Sequence, residues 1–161
     1  MTPNDVTSLH RRPIANSYAV PGAALYAGEY PSEKFTAGGR TKLTSVLDAG
    51  VTAFVDLTAP ADGLTPYAEL LQELAAERGV AVAYDRLTIT DMGVCDVAHM
   101  HRILDLIAVR LAEGHVVYVH CWGGVGRTGT VVGCWLVQHG RTGKEALTEV
   151  LALFKTMSAK K

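Results

Sequence analysis

The chain has 161 residues, 48% apolar and 19% charged, with a formal net charge of −1. That length fits one domain burying roughly 70% of its unfolded surface, and the balance excludes disordered, collagen-like and disulfide-scaffold classes. The near-zero charge gives no general attraction to nucleic acid or anionic membranes, and no apolar run nears the roughly 20 residues of a bilayer span.

Taken in chain order, residues 1–16 are polar and read as a lead-in, with the folded domain expected over 17–161. The segment before Arg12 lacks the hydrophobic centre of a signal peptide, so a cytoplasmic location is expected. Tyr18–Val20 and Ala24–Ala27 are short strand candidates separated by Pro21-Gly22. Thr41–Asp48 puts Leu43, Val46 and Leu47 on one helical face and is closed by Gly50. Val51–Leu57 is β-branched and reads as a strand, followed by a loop over 58–63. Pro66–Arg78 reads as a helix with Pro in its first turn and Gly79 past its end, and Val80–Tyr84 as the next strand.

Asp96 is placed to cap a helix over Val97–Glu113, whose inward face is predicted to be Val97, Met100, Ile103, Leu104, Ile107, Ala108 and Leu111. His115–Val119 reads as a buried strand, and Thr130–Val137 as a buried helix ended by Gly140. A last helix is expected from Lys144 to about Met157, started by Thr142 or Gly143, with Ala146, Leu147, Val150, Leu151 and Phe154 inward. Strands alternating with helices predict a single α/β domain with a central, mostly parallel sheet flanked by helices. Ligands of such sheets sit beyond the carboxyl ends of the strands.

At that place in the predicted fold stands His120-Cys121-Trp122-Gly123-Gly124-Val125-Gly126-Arg127-Thr128-Gly129. The glycines let successive backbone N–H groups curl around one anion at the positive end of the following helix. Arg127 offers a planar fork for two oxygens of a phosphate-like group. The same donors favour the thiolate form of Cys121, so one arrangement both activates a nucleophile and holds its target. Thr128 is placed to hydrogen-bond the sulfur as it leaves, His120 to support the loop, and Trp122, Gly123, Gly124, Val125 and Gly126 to shape the substrate pocket. The three cysteines, Cys95, Cys121 and Cys134, form no CxxC pair, and no His/Cys cluster has zinc-ligand spacing, so neither a metal nor a cofactor is expected.

The pattern His-Cys-x5-Arg-Thr-Gly resembles the signature of the cysteine-dependent protein tyrosine phosphatase superfamily. Its glycine-rich form is similar to small dual-specificity phosphatases, in particular the kinase-associated phosphatase branch. Leu25–Pro31, Phe54–Thr58 and Ile89–Gly93 resemble the corresponding family segments. The resemblance implies a dual-specificity phosphatase-like fold and a phosphorylated protein or peptide as substrate. It also implies attack by Cys121 on phosphorus, a cysteinyl-phosphate intermediate and an aspartic acid on a separate loop about thirty residues earlier. Asp91 occupies that place and is assigned the acid/base role, with Asp85 as its competitor and Asp96 as a helix cap. Many relatives carry a proline a few residues after the acid, where this chain has Val94-Cys95.

Sulfur transfer or arsenate reduction, which use related cysteine loops, fit the Arg127-Thr128-Gly129 helix start and the distant Asp less well, and two other readings stay open at this point. One is a phosphatase for a non-protein phosphate such as an inositol phosphate, which the uncharged loop positions argue against. The other is a phosphate-binding pseudoenzyme. Cys95 is close enough in sequence to Asp91 to trap an oxidised Cys121, although a plain loop-end role fits it better, and Cys134 reads as core.

Overall fold

The structure is a computed structural model and describes residues 12–34, 39–90 and 95–157. Five strands form one sheet: β1 (Ser17–Val20), β2 (Leu25–Gly28), β3 (Ala53–Asp56), β4 (Ala83–Arg86) and β5 (Val117–His120). Their spatial order is β1-β2-β5-β3-β4, and every pairing is parallel except that of β1 with β2. The last strand in sequence is therefore the central one, flanked by β2 and β3. Five α-helices cover the sheet: α1 (Arg40–Asp48), α2 (Ala68–Arg78), α3 (Val97–Ala112), α4 (Gly126–Gln138) and α5 (Gly143–Phe154). No described helix is long and apolar enough to cross a membrane.

The sheet divides two cores. One face packs Val55, Val117 and Val119 against Ile103 and Ile107 of α3 and Val131, Val132 and Trp135 of α4. The other packs Phe54 and Tyr118 against Leu43 and Val46 of α1 and Leu71 of α2, with Tyr26, Tyr30 and Tyr67 filling the remainder. Asp96 caps α3 by accepting from His99 N at 2.7 Å, and Thr142 with Glu145 forms a reciprocal capping box on α5.

The expected elements are present, with shifted edges that have local causes. The strand expected from Val80 begins at Ala83. Gly79 ends α2 in the left-handed region, and Val80 N–H donates back to Ala75 O, so the helix end consumes the first residues of the expected strand. Residues Pro66 and Tyr67 precede α2 rather than opening it, because Tyr67 turns into the core. Leu147 and Leu151, expected inward, are 61% and 49% exposed, as is Val97 at 74%; Ala108 also faces solvent. The apolar arcs of α3 and α5 are wider than the sheet can cover. Their surplus borders a cavity of about 770 Å³ between α3, α4 and α5. Cys134, expected in the core, is half-buried on its wall, and Cys95 faces the same space.

Candidate active site

Cys121 follows β5 directly and is buried, at the carboxyl end of the central strand. The loop then bends over it, and Gly124 N–H donates to Cys121 Sγ at 3.3 Å. This geometry requires Gly124 on two counts. Its φ is +80°, and a Cβ there would lie 2.5 Å from the Gly28 carbonyl carbon and 2.6 Å from Glu29 N. The loop is thus backed by the bare backbone leaving β2, and Tyr30 N–H ties the same segment to Trp122 O at 3.2 Å. Helix α4 starts at Gly126, so its N-terminal N–H groups and positive dipole end belong to the loop.

Arg127 is buried, and its Nη1 donates to Asp62 Oδ2 at 2.8 Å and to Ile89 O at 2.9 Å. Asp62 ends a single 3-10 turn (Pro60–Asp62) after β3, and the same Oδ2 accepts Ala59 N–H at 2.8 Å. The sequence reading missed Asp62: Pro-Ala-Asp-Gly looks like an ordinary turn, and nothing local marks a partner 65 residues away. Ile89 is itself fixed, since its N–H donates to Leu57 O at 2.9 Å. The arginine therefore anchors the backbone two residues before Asp91. Asp91 itself lies outside the described residues, as do Met92, Gly93 and Val94. Its competitor Asp85 is committed elsewhere, accepting from Arg110 Nε and Nη2 at 3.0 and 3.1 Å.

His120 is fully buried, with Nδ1 3.3 Å from Cys121 O and Nε2 2.6 Å from the Tyr67 hydroxyl. A neutral ring that donates through Nδ1 and accepts from Tyr67 satisfies both contacts. Burial lowers the His120 pKa; the opposing pull of Asp56, 3.9 Å away, does not reverse this. Asp56 also resists its burial. Hydrogen bonds from Thr58 N, Thr58 Oγ1 and Tyr84 hold its carboxyl below the ordinary value. Tyr67 is the second residue that the sequence reading missed, an aromatic after Pro66 read only as part of the helix over Pro66–Arg78.

Thr128 is completely buried in the first turn of α4. Its hydroxyl has no hydrogen-bond partner, the Cys121 sulfur included. Trp122 is 42% exposed at the rim, with Lys34 Nζ 4.2 Å above its ring; Val125 is 38% exposed. Lys34 and Lys42 both pair with Glu29, at 2.8 and 3.6 Å. Added Cβ atoms at Gly123 and Gly126 would meet no atom within 4 Å, so space is open above both. No group of three or more His, Cys, Asp or Glu among the described residues is arranged to hold a metal ion.

The Cys121 thiol under the Gly124 amide and the Arg127 held by Asp62 both lie in the part of the chain that a protein-family profile matches. That profile, Tc-R-P, described as a DSP-PTPase phosphatase of polymorphic toxin systems, covers residues 30–141. The chain belongs to this phosphatase family. No curated protein sequence matches it, whereas solved phosphatase structures do. Tk-PTP in its active form is 27% identical, with a TM-score of 0.69 over 90% of this chain and 88% of that one. The kinase-associated phosphatase, at 16% identity, gives 0.65 over 84% and 79%. PTPMT1, solved in complex with PI(5)P, gives 0.66 at 22% identity over 88% and 85%. The last two establish the shared fold. The family implies a cysteine nucleophile and phosphorylated substrates, and the resemblance read from the sequence is to this group.

Proposed function

We propose that this phosphatase dephosphorylates phosphotyrosine in proteins through a cysteinyl-phosphate intermediate, with phosphoserine and phosphothreonine as further substrates. The observation that carries this reading is Cys121 Sγ beneath the Gly124 N–H at the mouth of α4, with Arg127 held beside it. Sulfur attacks phosphorus, and Arg127 with the loop amides stabilises the charge that develops on the equatorial oxygens. Asp91 is assigned to protonate the departing phenolic oxygen and then to take a proton from the water that cleaves the S–P bond. His120 supports the loop, and the Thr128 hydroxyl, unpartnered in the resting site, is assigned to donate to the sulfur as it leaves.

A phosphotyrosine ring suits the rim, where Trp122 is half exposed and aromatic. The loop positions Trp122, Gly123, Gly124, Val125 and Gly126 carry no charge, and Lys34 and Lys42 are shared with Glu29. A mouth so nearly neutral disfavours a highly charged inositol phosphate, the alternative substrate class; PTPMT1 was solved with a phosphoinositide, PI(5)P. The test is turnover by wild type and Cys121→Ser on matched phosphotyrosine, phosphoserine and phosphothreonine peptides and on inositol phosphates. Phosphotyrosine turnover abolished in the serine variant is expected. Equal turnover by the two proteins overturns the catalytic assignment, and faster turnover of an inositol phosphate overturns the substrate class.

A further inference from the structure

Of the eight large apolar side chains exposed among the described residues, five line the cavity between α3, α4 and α5: Val97, Val125, Val137, Leu147 and Leu151. Such residues scattered singly need no explanation, whereas a contiguous apolar patch marks an interaction site. Helix α4 forms the floor. Gly126, Gly129, Thr130, Gly133 and Cys134 share one helical face by their spacing, and the glycines keep that face low. A Cβ at Gly126 would meet nothing within 4 Å, and one at Gly133 only Val150 Cγ2, at 4.0 Å. The Phe154 ring covers Gly129 instead, 2.7 Å from where its Cβ would be. With Val150 beside Gly133 and Phe154 beside Gly129, α5 runs antiparallel to α4 and makes one wall; Val97, Met100 and Leu104 of α3 make the other.

Position and polarity decide what this groove takes. Val125 and Gly126 belong both to its lining and to the loop over Cys121, so the groove is continuous with the phosphate site. It follows α4 from Gly126 to Gln138, which at about 1.5 Å per residue is about 18 Å, the span of about five residues of extended chain. Its lining holds no lysine or arginine. Asp96, the only carboxylate there, is spent on capping α3 through His99 N at 2.7 Å, and Thr130 donates its hydroxyl to Gly126 O at 3.1 Å. An acidic segment finds no partner in such a groove, whereas an apolar one removes its own side chains and the exposed leucines from water together.

We propose that the groove docks the phosphoprotein substrate's own chain: a segment of about five residues beside the phosphotyrosine, rich in Leu, Ile or Val and free of Asp and Glu. The loop then selects the phosphate, and the groove selects the sequence next to it. This rests on the protein-phosphatase reading of the Cys121 site. Turnover is measured on two pairs of phosphotyrosine peptides, leucine-rich against serine-rich, one pair varied before the phosphotyrosine and the other after it. A bare aryl phosphate, which reports the loop alone, is measured beside them. Wild type should favour one leucine-rich peptide about tenfold in kcat/KM, chiefly through KM. Leu147→Gln/Leu151→Gln, at two exposed positions, and Gly133→Leu, which fills the floor, should each bring that ratio to about one with aryl phosphate turnover unchanged. If Gly133→Leu does not fold, the leucine variant decides alone. Equal turnover of the paired peptides by wild type, or a preference that survives in the folded variants, overturns the proposal and leaves the phosphatase reading intact. Absent turnover of even the aryl phosphate by wild type overturns both. Sedimentation equilibrium tests the rival occupant: a wild-type dimer that Leu147→Gln/Leu151→Gln dissolves assigns the groove to a second copy of this chain and overturns substrate docking.

Discussion

Asp62 accepts a hydrogen bond from Arg127 at 2.8 Å across 65 residues of chain, and both side chains are almost fully buried. The carboxylate fixes one nitrogen of the guanidinium, so the plane of the fork is set before a phosphate arrives. Removing one partner of a buried ion pair strands the other charge, at about 3–5 kcal/mol. Asp62→Ala is expected to lose that much stability by urea unfolding. Asp62→Asn keeps the shape and part of the hydrogen bonding. It is expected to fold and to lose at least about tenfold in kcat/KM on an aryl phosphate, since a misaimed arginine is worth that much of transition-state binding. Full turnover by folded Asp62→Asn would remove the residue from the mechanism.

Gly124 and Gly126 stand two residues apart in the loop and are expected to respond oppositely to alanine. At Gly124 the side chain meets immobile backbone at 2.5–2.8 Å in a left-handed conformation. Overpacking and strain together predict a loss of about 2–4 kcal/mol, with the loop displaced. At Gly126 nothing lies within 4 Å and the residue opens α4. Alanine there is expected to leave the melting temperature unchanged or slightly raised. Thermal melts of the two variants decide the matter, and equal losses would refute the contact with Gly28 as the cause.

The neutral His120 makes stability depend on pH in a defined direction. Its folded pKa is lowered from the ordinary 6.5 by burial, so the unfolded chain takes up the proton first as pH falls. The contribution is complete above pH 6.5 and drains away below it, at up to about 1.4 kcal/mol per pH unit. Asp56, whose folded pKa is also lowered from 3.8, adds a separate loss that begins only near pH 4. Urea midpoints at pH 7.5, 6.5 and 5.5 should fall across the last step in wild type and stay level in His120→Gln. A parallel fall in both would assign the effect to other groups.

Trp122 is expected to act on binding more than on chemistry. An aromatic contact is worth about 0.5–1.5 kcal/mol, so Trp122→Ala should raise KM for a phosphotyrosine peptide about threefold to tenfold with little change in kcat. The same variant should leave KM for a phosphoserine peptide almost unmoved. Equal effects on both peptides would show that the ring supports the loop instead of the substrate.

What could be read from the sequence follows the range of the forces involved. The phosphate loop was legible because its chemistry is contiguous: the thiol, the glycines and the arginine lie within seven residues. The strands and helices followed from local periodicity, whereas the spatial order of the strands did not. Asp62 and Tyr67 were invisible because each acts on a residue more than fifty positions away, and an Asp in a turn or a Tyr beside Pro has an adequate local explanation. The outward Leu147 and Leu151 show the converse limit. Periodicity reports which residues share a face of α5, but not how much of that face the neighbouring helices cover.

The central place of β5 governs how the protein is made as well as how it works. β2 and β3 pair with β5 but not with each other, so emerging β1–β4 cannot close into one sheet. Both halves wait for a strand encoded after residue 116, and Asp62 waits for Arg127 in the same way. Assembly therefore depends on non-local parallel pairings, the kind that slow folding most. During ribosomal synthesis the site around Cys121 cannot assemble until β5 and Arg127 have emerged, and a product truncated before β5 leaves the edges of β2 and β3 that would face it unpaired.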